Sequence, residues 1–256
     1  MHPLTALLLG VVEGITEFLP ISSTGHLILA SRLMGLARTE FLKSFEIAIQ
    51  LGAIMAVVVL YRKTLFGDLE AIKRVAVGFV PTGVLGLVLY KAIKRYLLAN
   101  DATVLWAMLI GGIILIAFEA LHRSGPGGEA DVRKITYRQA FVIGAVQSLA
   151  MIPGVSRSAA TVVGGLAQGI DRRTTVQFSF LLAVPTMLAA AALDLLKSAG
   201  SFAAADFAAI ALGSAVSFCV AIAAVRFLLR YVRTHTFIPF GIYRIAAAAA
   251  FWALVR

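Results

Sequence analysis

Apolar residues run along this chain in blocks of about twenty, separated by short polar or basic gaps. Six blocks are uninterrupted, at 41–61, 74–93, 103–121, 175–196, 206–229 and 238–255. A helix needs roughly 20 apolar residues to cross the hydrocarbon of a bilayer, so the pattern predicts six membrane-crossing helices. Two further stretches, 4–36 and 138–170, are apolar overall but broken by 20–25 and 153–158, where Pro, Gly and Ser fall together. Those residue types stop a helix. Backbone freed from a helix at membrane depth survives only against protein or a wet cavity. Each broken stretch is therefore expected as a re-entrant helix hairpin, its break inside the fold and near a site.

The two broken stretches also match each other. Laying 7–27 on 141–161, at an offset of 134, puts Gly10 on Gly144, Val12 on Val146, Glu13 on Gln147 and Ser22 on Ser156; Pro20 and Pro153 fall one place out of step. A polar, basic link and then a helix follow each break. The expected organisation is one membrane domain: a first repeat over about 1–123, a polar Gly/Pro-rich linker at 124–134, and a second repeat over about 135–256. A hairpin enters and leaves on one side, and three crossings per repeat is odd, so the second repeat is inverted. The fold class expected is an all-α polytopic membrane protein of two inverted-topology repeats, each a re-entrant hairpin plus three transmembrane helices. Such folds carry their sites near the midplane, where the repeats meet.

Composition agrees with the pattern. Of 256 residues, 60% are hydrophobic and 14% charged, with a mean hydropathy of +0.92; soluble domains are nearer half apolar and a quarter charged. A soluble globule, a disordered chain and a disulfide scaffold are excluded, the last because Cys219 is the single cysteine. The net charge of +10 does not call for nucleic acid, since no basic patch is interleaved with exposed aromatics in a polar domain. Basic residues sit instead in the gaps, as at Arg62-Lys63, Lys73-Arg74, 91–95 and Arg172-Arg173, where they meet headgroups and set topology. With Arg157 and Arg244 left aside as lying inside segments, eight Lys and Arg fall on one face and thirteen on the other. The richer face is expected in the cytoplasm, which puts both termini outside. No cleavable signal peptide is expected, because the N-terminus lacks a basic lead and its apolar stretch carries Glu13 and Glu17.

An ionisable group at membrane depth costs at least about 2.5 kcal/mol, which makes it a functional candidate. Glu13 and Glu17 are four apart, so both carboxylates lie on one helix face, a turn apart. Like charges so placed make sense with a cation between them, with one holding a proton, or with an arginine answering them. Ser22, Ser23, Thr24 and His26 follow directly. A half-helix starting near Ser22 would offer free N–H groups and a dipole to an anion, with plain N-capping by Ser22 as the alternative. His26 lies three and four residues after the two serines, within helical reach as base or orienter, and a merely structural imidazole stays open. At the second break Ser156, Arg157, Ser158 and Thr161 set a guanidinium among hydroxyls, a phosphate clamp or an internal partner for the glutamates. Carboxylates, hydroxyls, a histidine and an arginine at one midplane pocket suit phosphoryl transfer, in which the protein positions and neutralises spread charge. No nucleotide motif accompanies them. The substrate expected is a lipid with a phosphate head, a long isoprenoid tail remaining in the bilayer.

The segments EGITEFLPISSTGH at 13–26, FEIAIQLG at 45–52 and PGVSRSAAT at 153–161 resemble the signature segments of the bacterial undecaprenyl-diphosphate phosphatase family, also called the bacitracin resistance family. The resemblance spans nearly the whole chain in order and spacing. It implies a plasma-membrane enzyme removing the terminal phosphate of undecaprenyl diphosphate, which recycles the carrier lipid of peptidoglycan synthesis and protects against bacitracin. It also implies roles: Glu13 and Glu17 as an acidic pair tied to a divalent cation (Mg or Ca) or to acid/base work, Ser23 as nucleophile or phosphate contact, Arg157 as phosphate-binding arginine. Ser22, Thr24, His26, Ser156, Ser158 and Thr161 would line the pocket, and His26 is a second candidate for nucleophile or base. The partners expected are the polyprenyl diphosphate and membrane lipids, with a homodimer as the assembly and a site open to the periplasm. A lipid-phosphate transporter or flippase is the rival, because inverted repeats with broken helices are transporter architecture.

Overall fold

A computed structural model of the chain describes residues 1–96, 101–121, 130–198 and 206–255. Among these there are eleven α-helices: α1 (Pro3–Thr16), α2 (Ser23–Leu33), α3 (Glu40–Leu60), α4 (Arg62–Gly67), α5 (Leu69–Tyr96), α6 (Asp101–Leu121), α7 (Tyr137–Gln147), α8 (Arg157–Leu166), α9 (Arg172–Ser198), α10 (Asp206–Tyr231) and α11 (Ile238–Val255). Local chemistry sets their ends. His2 caps α1 with Pro3 at its first position, Thr39 caps α3, and Thr136 with Gln139 forms a reciprocal capping box on α7, each satisfying N–H groups that a helix start leaves without partners.

Five helices are long and apolar enough to cross a membrane, within α3, α5, α6, α9 and α10. The sixth expected crossing, 238–255, is the apolar helix α11, which is shorter than the five. Outward faces stay apolar, with Leu87, Val88, Ile110, Ile113, Phe207 and Phe227 exposed, as a helix facing lipid requires. Both broken stretches form: α1 ends at Thr16 and α2 begins at Ser23, while α7 ends at Gln147 and α8 begins at Arg157.

The basic gaps are partly corrected. Lys73 and Arg74 lie within α5, where Arg74 donates to the Ile135 carbonyl and to Glu70. Arg172 and Arg173 open α9, and Arg172 is buried against Glu119 of α6 rather than turned to a headgroup. The short helix α4 was not expected. Of the expected linker, 124–129 lies outside the described residues, as do the side chains of Lys91, Lys94, Arg95, Arg123, Lys197 and Arg256.

Close packing depends on missing side chains. In lipid the helices gain no hydrophobic drive toward one another, and small residues allow the backbone approach that replaces it. A Cβ on Gly10 of α1 would stand 2.5 Å from the Gly213 carbonyl oxygen of α10, and one on Gly14 would stand 2.7 Å from that of Ser217. Gly144 of α7 abuts the Gly78 carbonyl of α5 in the same way. Further contacts join α3 to α10 and α9, and α6 to α11. Phe18 and Ile21 from the first break share one buried cluster with Val162 of α8 and Phe180 of α9, so the first break sits inside the bundle, and Pro153 and Gly154 of the second are buried as well.

Candidate functional site

After each break the helix restarts from a serine in the left-handed region, Ser22 at φ 76° and Ser156 at φ 72°. That conformation costs a non-glycine residue about 1 kcal/mol or more. The cap offsets it: Ser22 Oγ accepts from the Gly25 N–H at 3.4 Å and Ser156 Oγ from the Ala159 N–H at 3.2 Å, each worth about 1 kcal/mol. The Ser22 hydroxyl is thus engaged as an N-cap.

The turn after α1 then brings the reactive side chains together. Glu13, on the last turn of α1, and Glu17, its C-cap, are both buried. Ser23 Oγ donates to Glu17 Oε2 at 2.5 Å, and Arg157 Nη2 donates to Glu17 Oε1 at 3.4 Å. The second arm of Arg157 donates to the Ser179 carbonyl of α9 at 3.0 Å, its guanidinium carbon lies 5.9 Å from the Phe18 ring centre, and Nε has no partner. Ser158 Oγ donates to the Phe18 carbonyl at 2.8 Å, tying one break to the other. Thr161 Oγ1 lies 2.5 Å from the Ser179 hydroxyl and 3.0 Å from the carbonyls of Arg157 and Ser158. These two hydroxyls hold α8 in place.

Glu13 is fully buried, and neither carboxylate oxygen has a partner. The charges acting on it are the carboxylates of Glu17 and of Glu46 on α3 and the guanidinium of Arg157. A buried, unpartnered carboxylate needs a proton or a cation. Among the described residues no three His, Cys, Asp or Glu side chains are grouped to hold a metal. Glu13 and Glu17 alone fit the habit of Mg, which takes one or two carboxylates and completes its shell with water and substrate phosphate.

Two expected site residues fall elsewhere. Thr24 is exposed on the first turn of α2. His26 Nδ1 meets the Ser22 carbonyl at 2.7 Å and Nε2 meets the Tyr243 hydroxyl at 2.8 Å, the two rings stacked with centres 5.4 Å apart. The imidazole therefore holds the turn at Ser22, and the hydroxyl of Ser23 turns to Glu17. Arg244 of α11 was set aside among the charges. It is fully buried behind the two breaks and donates to the carbonyls of Pro20, Gly154, Val155, Ala107 and Met108. The cost of a charge at membrane depth, which singled out Arg157, marks it equally.

Fold and site together define a polytopic helical membrane protein whose interior gathers carboxylates, a hydroxyl and a guanidinium where two broken helices meet. The chain belongs to the family of bacitracin resistance protein BacA, whose model matches residues 6–250. A Sulfurihydrogenibium protein named undecaprenyl-diphosphatase is 50% identical over 245 residues, 96% of each chain. One of that name from Aquifex aeolicus is 50% identical over 240 residues, 94% of this chain and 93% of its own. Another from Methanococcus aeolicus is 41% identical over 245 residues, 96% and 95% of the two chains.

Proposed function

We propose that this protein is an integral-membrane phosphatase that hydrolyses undecaprenyl diphosphate to undecaprenyl phosphate and inorganic phosphate, which recycles the carrier lipid for peptidoglycan synthesis and confers bacitracin resistance. The observation that carries the chemistry is Glu17, which accepts from Ser23 and from Arg157 at once. Arg157 is the phosphate ligand: with Nε free and one arm on a long bond to Glu17, it can turn to the diphosphate. Ser23 Oγ attacks the terminal phosphorus as Glu17 takes its proton. The phosphoanhydride P–O bond breaks and undecaprenyl phosphate leaves with the proton that Glu17 took, so Glu17 is again ionised. Water activated by Glu17 then hydrolyses the phosphoserine and frees Ser23. A divalent cation, Mg or Ca, held by Glu13 and Glu17 would supply neutralisation of phosphate charge. Direct attack by water in place of Ser23 is the second reading of the same site. Carriage of a neutral solute or ion would not require this density of phosphate-handling groups.

The two-repeat reading belongs to the same proposal. Its support is the paired left-handed serines Ser22 and Ser156, and the paired glycine contacts Gly10–Gly213 and Gly144–Gly78. In each pair the first helix of one broken stretch packs on a late helix of the other half. The two halves would be inverted repeats of about 1–123 and 135–256, with termini and site on the periplasmic side and two copies per assembly; cysteine labelling from each face of sealed vesicles and the mass of the detergent-solubilised particle check these points.

Purified protein in detergent is expected to release phosphate from a polyprenyl diphosphate, whereas a transporter releases none. Arg157→Ala is expected to stay folded and lose turnover; near-normal turnover would remove the clamp from the mechanism. Rapid quenching of labelled diphosphate should trap phosphoserine, and its absence with single-displacement oxygen labelling would hand the attack to water.

A further inference from the structure

The chemistry proposed above draws its base and nucleophile from the first broken stretch and its phosphate ligand from the second, so it works only while the two tips keep one register. Arg244 belongs to neither tip. A guanidinium has five N–H donors in a rigid fork, and here Nε reaches Met108, Nη1 reaches Pro20 and Val155, and Nη2 reaches Ala107 and Gly154. One acceptor belongs to the first tip, two to the second, and two to α6 beneath them. No donor remains for a substrate, in contrast to Arg157, whose Nε is unpartnered. Three of the acceptors, Pro20, Gly154 and Val155, lie within two residues of the left-handed serines from which α2 and α8 start. The Val155 carbonyl shares a planar trans peptide with the Ser156 N–H, so fixing one on the guanidinium aims the other away from it. Space for the fork comes from α6, where any side chain on Gly111 would collide with Nη2.

We propose that Arg244 is the positioning residue of this enzyme: a single guanidinium that clamps both tips to α6 and so holds Ser23 and Glu17 in register with Arg157, without touching substrate. The inference rests on the phosphatase reading, and it also makes a claim about tip geometry that needs no turnover. Arg244→Lys keeps the charge and loses the fork, and Arg244→Gln loses both. In variants that retain the wild-type melting transition in detergent, kcat for phosphate release is expected to fall at least tenfold while KM stays within about threefold, and lysine is expected not to rescue. Guanidinium ion added at millimolar concentration to Arg244→Ala should restore part of kcat. Spin labels at Ile15→Cys and Leu149→Cys, exposed positions beside the two breaks, placed in a Cys219→Ser background, read the register directly. One sharp distance in the parent and a broadened distribution in Arg244→Lys and Arg244→Gln are expected. A raised KM with unchanged kcat would make Arg244 a substrate ligand, and an unchanged distance distribution would overturn the clamp. Absence of phosphate release by the parent protein would remove the phosphatase reading and leave the distance test standing. Gly111→Ala, which presses on the fork from α6, should reproduce the broadening if the substitutions at Arg244 prevent folding.

Discussion

Glu17 carries two demands on one carboxylate. In the proposed mechanism it must be free to take a proton from Ser23, and it must answer Arg157 when no phosphate is present. A general base contributes typically 10²- to 10⁴-fold, so Glu17→Gln, which preserves shape and removes basicity, is expected to lower kcat for phosphate release by that factor. Tyr243→Phe deletes one hydrogen bond to His26, about 1 kcal/mol or roughly fivefold. If the histidine were the base, that order would invert and the acidic limb of the pH–rate profile would move with Tyr243→Phe instead. The candidate residues could be picked out because charges at membrane depth are expensive, and Glu13, Glu17 and Arg157 do lie in one interior. Their partners were not legible. Helical spacing allowed His26 to reach Ser22 or Ser23, but the left-handed backbone at Ser22 rotates the start of α2, so the imidazole meets a carbonyl and Ser23 faces Glu17.

The two breaks show what an element-level pattern can and cannot reveal. Pro, Gly and Ser in a row located both of them, and apolar length located the crossings, because these follow from helix sterics and bilayer thickness. Boundaries at charged residues were misplaced. Lys73 and Arg74 look like gap residues, yet each has a partner and α5 runs on through them, while Arg172, the first residue of α9, turns inward to Glu119. The serines at the restarts permit a test that separates backbone strain from capping. Ser156→Ala keeps the left-handed conformation and loses the cap, a cost of about 1 kcal/mol. Ser156→Gly loses the same hydroxyl but removes the strain, and glycine is itself tolerated as a cap at a few tenths. Unfolding in detergent is expected to rank wild type and Ser156→Gly together, above Ser156→Ala; equal losses in the two variants would mean that the φ of 72° carries no strain.

At the scale of the whole molecule, the buried charges join what the helices alone would leave separate. Glu17 meets Arg157 across the two broken stretches, Arg244 draws both tips onto α6, and Glu119 of α6 holds Arg172 of α9 through its Nε at 2.7 Å and through a second contact from Nη2. Small residues let helices touch without fixing which slides where; an arginine fork with assigned acceptors does fix it. The last of these pairs tests the idea away from the chemistry. Breaking a buried ion pair from one side leaves a charge uncompensated and costs about 3–5 kcal/mol, whereas replacing both partners with apolar residues of similar volume is often neutral. Glu119→Gln is therefore expected to destabilise the protein strongly in a detergent unfolding assay, and Glu119→Leu with Arg172→Met to recover most of the loss. A double variant as unstable as the sum of its single changes would show that the two residues are not coupled and that Arg172 depends on its other partners. Recovery of stability with altered turnover would instead mean that this pair, like Arg244, sets how the two halves meet around the site.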